Sequence, residues 1–309
     1  MNPRAAMKPV SLPWLRNLPS WALIGVLRSL AILPHQLQRS MGLVLGWWMY
    51  FAMRRRQKIA DRNIELCLPT LSKTARARMV RQHFSSLGLA IMESALAWWG
   101  PVQRLDKIGR INGLEHLTAA QARGHGVIVV SGHFTTVDIC MQIMSRRVAC
   151  HAIYRRNKNP ILEAQIYQGR IRNGAKLFER ENMRTAIKAL RDNQIVWFSP
   201  DQDHGLAMHG EFVPFFGIPS ATVTTTARMA AHTGAAVVPL VYRRLPGGRG
   251  YEMCLLPALD GFPETDLVHA TRRINAIIES HILVAPDQYL WVHRRFKTRP
   301  PGELPVYEQ

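Results

Sequence analysis

A chain of 309 residues with 47% hydrophobic and 20% charged side chains can bury a sizeable core, which excludes intrinsic disorder. Lysine and arginine number 40 against 21 aspartates and glutamates, a formal net charge of +19. Such an excess draws a protein to polyanions: an anionic lipid surface, an acidic protein or nucleic acid. The cysteines Cys67, Cys140, Cys150 and Cys254 are scattered with no C-x-x-C pair, which argues against a disulfide framework and a thiolate metal site.

The first fifty residues differ from the rest. Leu18 to Leu33 is apolar apart from Ser20, Arg28 and Ser29, and a second apolar run, Met41 to Met53, ends in Arg54-Arg55-Arg56-Gln57-Lys58. A spanning helix needs roughly 20 apolar residues. Neither run reaches that cleanly, and no secretory cleavage site is visible. Three arrangements fit: one imperfect span, interfacial helices anchored by Trp21, Trp47, Trp48 and Tyr50, or a buried helical hairpin. The basic run after Met53 points to a cytoplasmic membrane face. Residues 1–53 are therefore expected to form a membrane-anchoring segment, and residues 54–309 a single catalytic domain.

Beyond Lys58 the pattern alternates between helix and strand. A long helix is expected over Ala75 to Trp99, then a strand at Val127 to Val130 and a helix through Ile139 to Met144. Strands follow at Ala149 to Tyr154, Gln194 to Ser199, Ala236 to Tyr242 and Tyr251 to Leu256. Helices fall at Glu163 to Asn173, Arg184 to Asp192 and Thr222 to Thr233. This order implies an α/β fold, a largely parallel central sheet with helices on both faces.

Two strand ends carry the chemistry. Val127 to Val130 runs into Ser131-Gly132-His133, with Asp138 five positions further on. If a helix begins at Thr135, the Asp138 carboxylate lies close enough to orient the imidazole, making His133 a general base. No serine or cysteine nucleophile is required when the substrate brings its own hydroxyl, so the arrangement suits acyl transfer. The Gln194 strand ends in Pro200-Asp201-Gln202-Asp203-His204-Gly205, where such sheets build their sites. Two aspartates beside a histidine suggest a metal, but in loops they serve more often as turn and cap residues, and none is expected here. Arg155 and Arg170 suit a phosphate clamp or oxyanion stabiliser, whereas Arg156 and Arg172 read as a solvated basic face. Glu211 to Pro219 reads as an apolar loop, either lining an alkyl groove or packing in the core. The basic, aromatic end Trp291 to Pro300 invites a nucleic-acid reading, yet no such binding motif accompanies it, and a lipid surface fits better.

The blocks His133-Phe-Thr-Thr-Val-Asp138, Tyr154-Arg155-x-Asn157-x-Asn159-Pro160, Gly169-Arg170, Pro200-Asp201-Gln-Asp203-x-Gly205, Val213-Pro-Phe-Phe-Gly217 and Pro286 to Pro300 occur together and in order. So does Asn63-Ile-Glu65-Leu-Cys67-Leu-Pro69. In this the chain resembles the bacterial lipid A biosynthesis late acyltransferases over residues 20 to 300. The resemblance implies transfer of a fatty acyl chain from acyl carrier protein to a hydroxyacyl group of a Kdo-bearing lipid A precursor. It also implies a Gram-negative inner membrane with the catalytic domain facing the cytoplasm, and no cofactor beyond the carrier thioester. Asp138 departs from the glutamate of lauroyl-transferring members. By the same resemblance Arg170 and Asp201 are needed, Arg170 stabilising an oxyanion or phosphate and Asp201 positioning Arg170 or the acceptor, with Arg155 and Asp203 behind them. The rival readings are an acyltransferase for a lysophospholipid, glycerol phosphate or ornithine lipid, and a non-enzymatic basic protein binding membrane or nucleic acid.

Overall fold

The computed structural model describes residues 14–207 and 209–307, so the first thirteen residues of the expected anchoring segment lie outside the described residues. Four helices come first: α1 (Trp14–Ile32), α2 (His35–Ala52), α3 (Arg54–Cys67) and α4 (Lys73–Trp99). Then α5 (Val102–Ile108), β1 (Gly109–Asn112), α6 (Leu114–Gln121), β2 (Val127–Val130), α7 (Val137–Ser145), β3 (Cys150–Tyr154), α8 (Pro160–Ile171), β4 (Leu177–Glu179), α9 (Met183–Arg191) and β5 (Ile195–Phe198) alternate. The chain closes with β6 (Gly210–Phe215), β7 (Ile218–Val223), α10 (Thr225–Thr233), β8 (Ala236–Arg244), β9 (Tyr251–Leu255) and α11 (Leu267–Val284).

Seven strands form the central sheet in the order β1-β9-β8-β2-β5-β3-β4. From β8 to β4 neighbouring strands are parallel; β9 returns antiparallel to β8, and β1 pairs parallel with β9. In a strand, successive side chains point to opposite faces, so a strand buried at every position must be covered on both. That holds for all four residues of β2 and of β5. The mostly parallel α/β sheet is thus as expected. Glu211 to Pro219, expected as a loop, instead forms most of the β6–β7 hairpin, in which Val213 and Phe215 are buried. Thr222, expected at the start of a helix, belongs to β7, and α10 begins at Thr225.

Glycines bring α2 onto α4. A Cβ on Gly46 would stand 2.4 Å from the Phe84 carbonyl oxygen, and one on Gly88 only 2.1 Å from that of Gly42. Larger residues would force the helices apart. The opposite side of the α1–α2 pair is apolar and exposed, with Trp21, Val26, Val44, Trp47, Trp48 and Phe51 open to solvent. Tyr50, expected as an interfacial anchor, turns inward and meets Phe84 edge to face. Among the described residues no helix is long and apolar enough to cross a membrane.

Candidate active site

Register builds the site. β2 and β5 are adjacent and parallel, with Val130 opposite Phe198. Three residues beyond Val130 stands His133; three residues beyond Phe198 stands Asp201. The two side chains therefore leave the same sheet end side by side. Asp201 grips its neighbour twice, its Oδ1 lying 2.6 Å from His133 Nδ1 and its Oδ2 accepting the His133 backbone N–H at 2.8 Å. Asp201 is 1% exposed and His133 30%. Burial pushes a carboxyl up, but here the charge and hydrogen bonds of His133, with the Arg295 guanidinium behind, outweigh it. The Asp201 carboxyl is held well below the usual carboxylate range. With Nδ1 committed, Nε2 is the ring nitrogen left for a substrate.

This corrects the expected pairing of His133 with Asp138. The helix does not begin at Thr135: Phe134 bridges to Tyr289, Thr136 occupies the N-cap position without a side-chain capping bond, and α7 starts at Val137. His133 thus sits outside the helix, and Asp138 lies in its first turn. The Asp138 carboxylate instead takes a 2.8 Å hydrogen bond from Arg170 Nε in the last turn of α8, and a longer one of 3.3 Å from Ser94 Oγ. Burial disfavours the Arg170 charge, yet the Asp138 carboxylate overcomes this and raises the guanidinium above its ordinary value. Gly169 makes the position of Arg170 possible, since a Cβ there would fall 2.4 Å from Trp98 Cβ. The role of positioning Arg170, expected of Asp201, therefore falls to Asp138.

Asp203 is bound into the scaffold. Its carboxylate accepts the backbone N–H of Gly205 and both the N–H and hydroxyl of Thr298, tying the loop after β5 to the C-terminal segment. That segment, whose composition invited a nucleic-acid reading, is largely internal: Trp291, Arg295 and Phe296 are buried. The Leu290 N–H donates to the His133 carbonyl, and the Thr135 N–H donates to that of Gln288, so the turn holding His133 is pinned from below. Tyr242, absent from the sequence-based candidates, adds a third pin: its hydroxyl donates to the Gly132 carbonyl at 2.8 Å. Arg295, likewise not anticipated, bonds the Ala221 carbonyl and Thr222 hydroxyl and lies over the Phe215 ring. Of the two arginines expected on a solvated face, Arg156 is exposed and pairs with Glu179, whereas Arg172 caps the end of α4 through the Ala97 and Gly100 carbonyls.

His133, Asp138, Arg155 and Arg170 line one cavity of about 240 Å³. Its remaining wall is mostly apolar, including Val137, Met141, Ile153, Leu177, Met183, Phe198 and Val223, with Arg180 and His204 as further polar members. Such a concavity, with a few converging polar groups, is the usual form of a site for an apolar ligand carrying one reactive end.

A carboxylate-held histidine and a carboxylate-held guanidinium line one largely apolar cavity at the carboxyl end of a mostly parallel sheet, the place where such folds build their active sites. The family model for bacterial lipid A biosynthesis acyltransferases matches residues 8–298. The chain is 37% identical over 284 residues to the lipid A biosynthesis lauroyltransferase of Escherichia coli K12, covering 92% of both chains. To the palmitoleoyltransferase of the same organism it is 36% identical over 289 residues, covering 93% of this chain and 94% of the relative. To the myristoyltransferase it is 28% identical over 295 residues, with 94% and 90% covered. The chain belongs to the bacterial lipid A biosynthesis acyltransferases, and is an acyltransferase of lipopolysaccharide synthesis.

Proposed function

We propose that the protein moves a fatty acyl chain from the thioester of acyl carrier protein to the hydroxyl of a hydroxyacyl group on a Kdo-bearing lipid A precursor, with His133 as general base. The observation that carries the reading is the double grip of Asp201 on His133, which lines a largely apolar cavity. His133 Nε2 removes the acceptor's hydroxyl proton as the oxygen attacks the thioester carbonyl, and Asp201 stabilises the imidazolium. Arg170, held by Asp138, offers its remaining donors to the tetrahedral oxyanion. Collapse breaks the carbon–sulfur bond, and the imidazolium returns its proton to the departing thiolate. The thioester already carries an activated acyl group, so the reaction needs no cofactor.

The charge of +19 suits an acidic carrier protein and a phosphorylated acceptor, with no role for nucleic acid. The exposed apolar side of α1 and α2, followed by Arg54, Arg55 and Arg56, suits helices lying in the headgroup region of the inner membrane at its cytoplasmic face.

The test is an assay of purified protein in detergent, offering lauroyl- and myristoyl-acyl carrier protein against Kdo2-lipid IVA and lysophosphatidic acid, read by mass spectrometry. Mass gain on the lipid A precursor, lost in His133→Ala, is expected. Gain on lysophosphatidic acid alone would overturn the choice of acceptor.

A further inference from the structure

The cavity holds two buried-side guanidinium groups in different electrostatic states. Arg170 has its charge answered by the Asp138 carboxylate at 2.8 Å. Arg180 does not. Its Nη1 lies 3.1 Å from His204 Nδ1 and 3.4 Å from Nε2, its Nη2 reaches the well-exposed Glu181 at 3.3 Å, and its buried Nε has no partner. An imidazole accepts a hydrogen bond without cancelling a charge, and burial together with the Arg180 charge pushes His204 down to about 4, keeping it neutral. The Glu181 carboxylate, open to water, is screened and worth little.

Register places a second cation beside it. β3 and β4 are parallel neighbours with Tyr154 opposite Glu179. Arg155 and Arg180 are each the next residue beyond that pair, and the Arg180 N–H donates to the Tyr154 carbonyl. Both arginines line the cavity that holds His133.

We propose that Arg180 and Arg155, with His204 as the neutral holder of Arg180, form a subsite that binds a phosphate group of a substrate while its reactive end lies at His133. The assignment rests on the acyl-transfer reading, which supplies two sources of that chemistry: the phosphodiester of the donor's pantetheine arm and the phosphate monoester of the acceptor. The planar guanidinium, whose charge no buried carboxylate cancels, matches two phosphate oxygens at once.

The direct test titrates inorganic phosphate into the full-length protein in detergent, followed by 31P NMR. Arg180→Gln removes the charge; His204→Asp leaves the arginine but neutralises it, and so keeps the test alive if the first variant does not fold. Arg110→Gln removes an equal, exposed charge on β1 as control. Loss of one charge-assisted contact predicts about 10- to 100-fold weaker phosphate binding in the first two variants and no change in the control. Binding that is unchanged in Arg180→Gln, or weakened equally in Arg110→Gln, would overturn the subsite.

The source is then read from acyl transfer. Arg180→Gln is expected to raise KM about tenfold or more for acyl-phosphopantetheine but not acyl-pantetheine if the donor supplies the phosphate. It would do so for the phosphorylated but not the dephosphorylated acceptor if the acceptor does. Equal loss with and without phosphate on both substrates would assign Arg180 a merely structural role and sink the proposal. Absence of acyl transfer by the unaltered protein would instead overturn the proposed function, and the phosphate titration would still decide the subsite.

Discussion

Asp201 holds His133 by side chain and backbone at once, at 2.6 and 2.8 Å, so one carboxylate fixes both the ring and the turn that carries it. The Nδ1 hydrogen bond should be visible as a low-field proton resonance in 15N-histidine-labelled protein. We expect it to vanish in Asp201→Asn and to persist in Asp138→Asn. Its persistence in the first variant would place the imidazole against another acceptor.

The depressed carboxyl of Asp201 also makes a stability prediction. A carboxyl whose folded value lies below its unfolded value contributes stability that is present above the unfolded value, about 3.9, and is lost as pH falls through the folded one. The Tm difference between the unaltered protein and Asp201→Asn should therefore shrink as pH falls below about 4. A difference that is unchanged there would contradict the assignment.

Two fully buried histidines act at higher pH. Burial pushes both His83 and His281 down to about 4. The unfolded chain binds their protons first, so stability present above the unfolded value of about 6.5 is lost as pH falls towards 4. Urea unfolding should show the midpoint falling between pH 6.5 and 4. His281→Asn should flatten part of that fall.

At the second pair, Arg170→Lys keeps the charge but loses the planar fork that spans Asp138 and the substrate. Loss of an oxyanion donor predicts a fall in kcat on the order of 10²-fold with little change in KM. Gly169→Ala should show a smaller fall of the same kind, because the added methyl meets Trp98 and shifts Arg170. Steady-state kinetics on both variants checks this.

Trp47 and Trp48 test the proposed membrane contact of α1 and α2. They are 59% and 64% exposed, so a charge there costs the fold little. Replacing both with glutamate should weaken co-flotation with anionic vesicles by about tenfold or more and leave Tm unchanged. Undiminished flotation would move the membrane contact elsewhere.

Much of this architecture was legible in the sequence because buried strands leave a continuous signal. Val127 to Val130 was located to the residue, and β3, β5, β8 and β9 nearly so. The β6–β7 hairpin was missed because Pro214, Phe216, Gly217 and Pro219 read as loop residues, while the cross-strand pairing that orders them is a tertiary matter. The site residues His133, Asp138, Arg155 and Arg170 do share a cavity, but their partners were not readable. His133 and Asp201 are 68 positions apart, and only the adjacency of β2 and β5 brings them together. The spacing of His133 and Asp138 suggested the wrong neighbour because it presumed a helix that starts two residues later. Tyr242 carried no signal, since a buried strand tyrosine looks like core until its hydroxyl is seen on the Gly132 carbonyl.

The most direct test is a mutant cycle on acyl transfer: His133→Ala, Asp201→Asn, Asp138→Asn and the double variant His133→Ala/Asp201→Asn, each checked for folding by Tm. If His133 and Asp201 act as one unit, each single change lowers kcat by about 10²- to 10⁴-fold, and the double variant is no slower than His133→Ala alone. A folded Asp201→Asn enzyme with near-normal turnover, beside an Asp138→Asn enzyme as impaired as His133→Ala, would contradict the account.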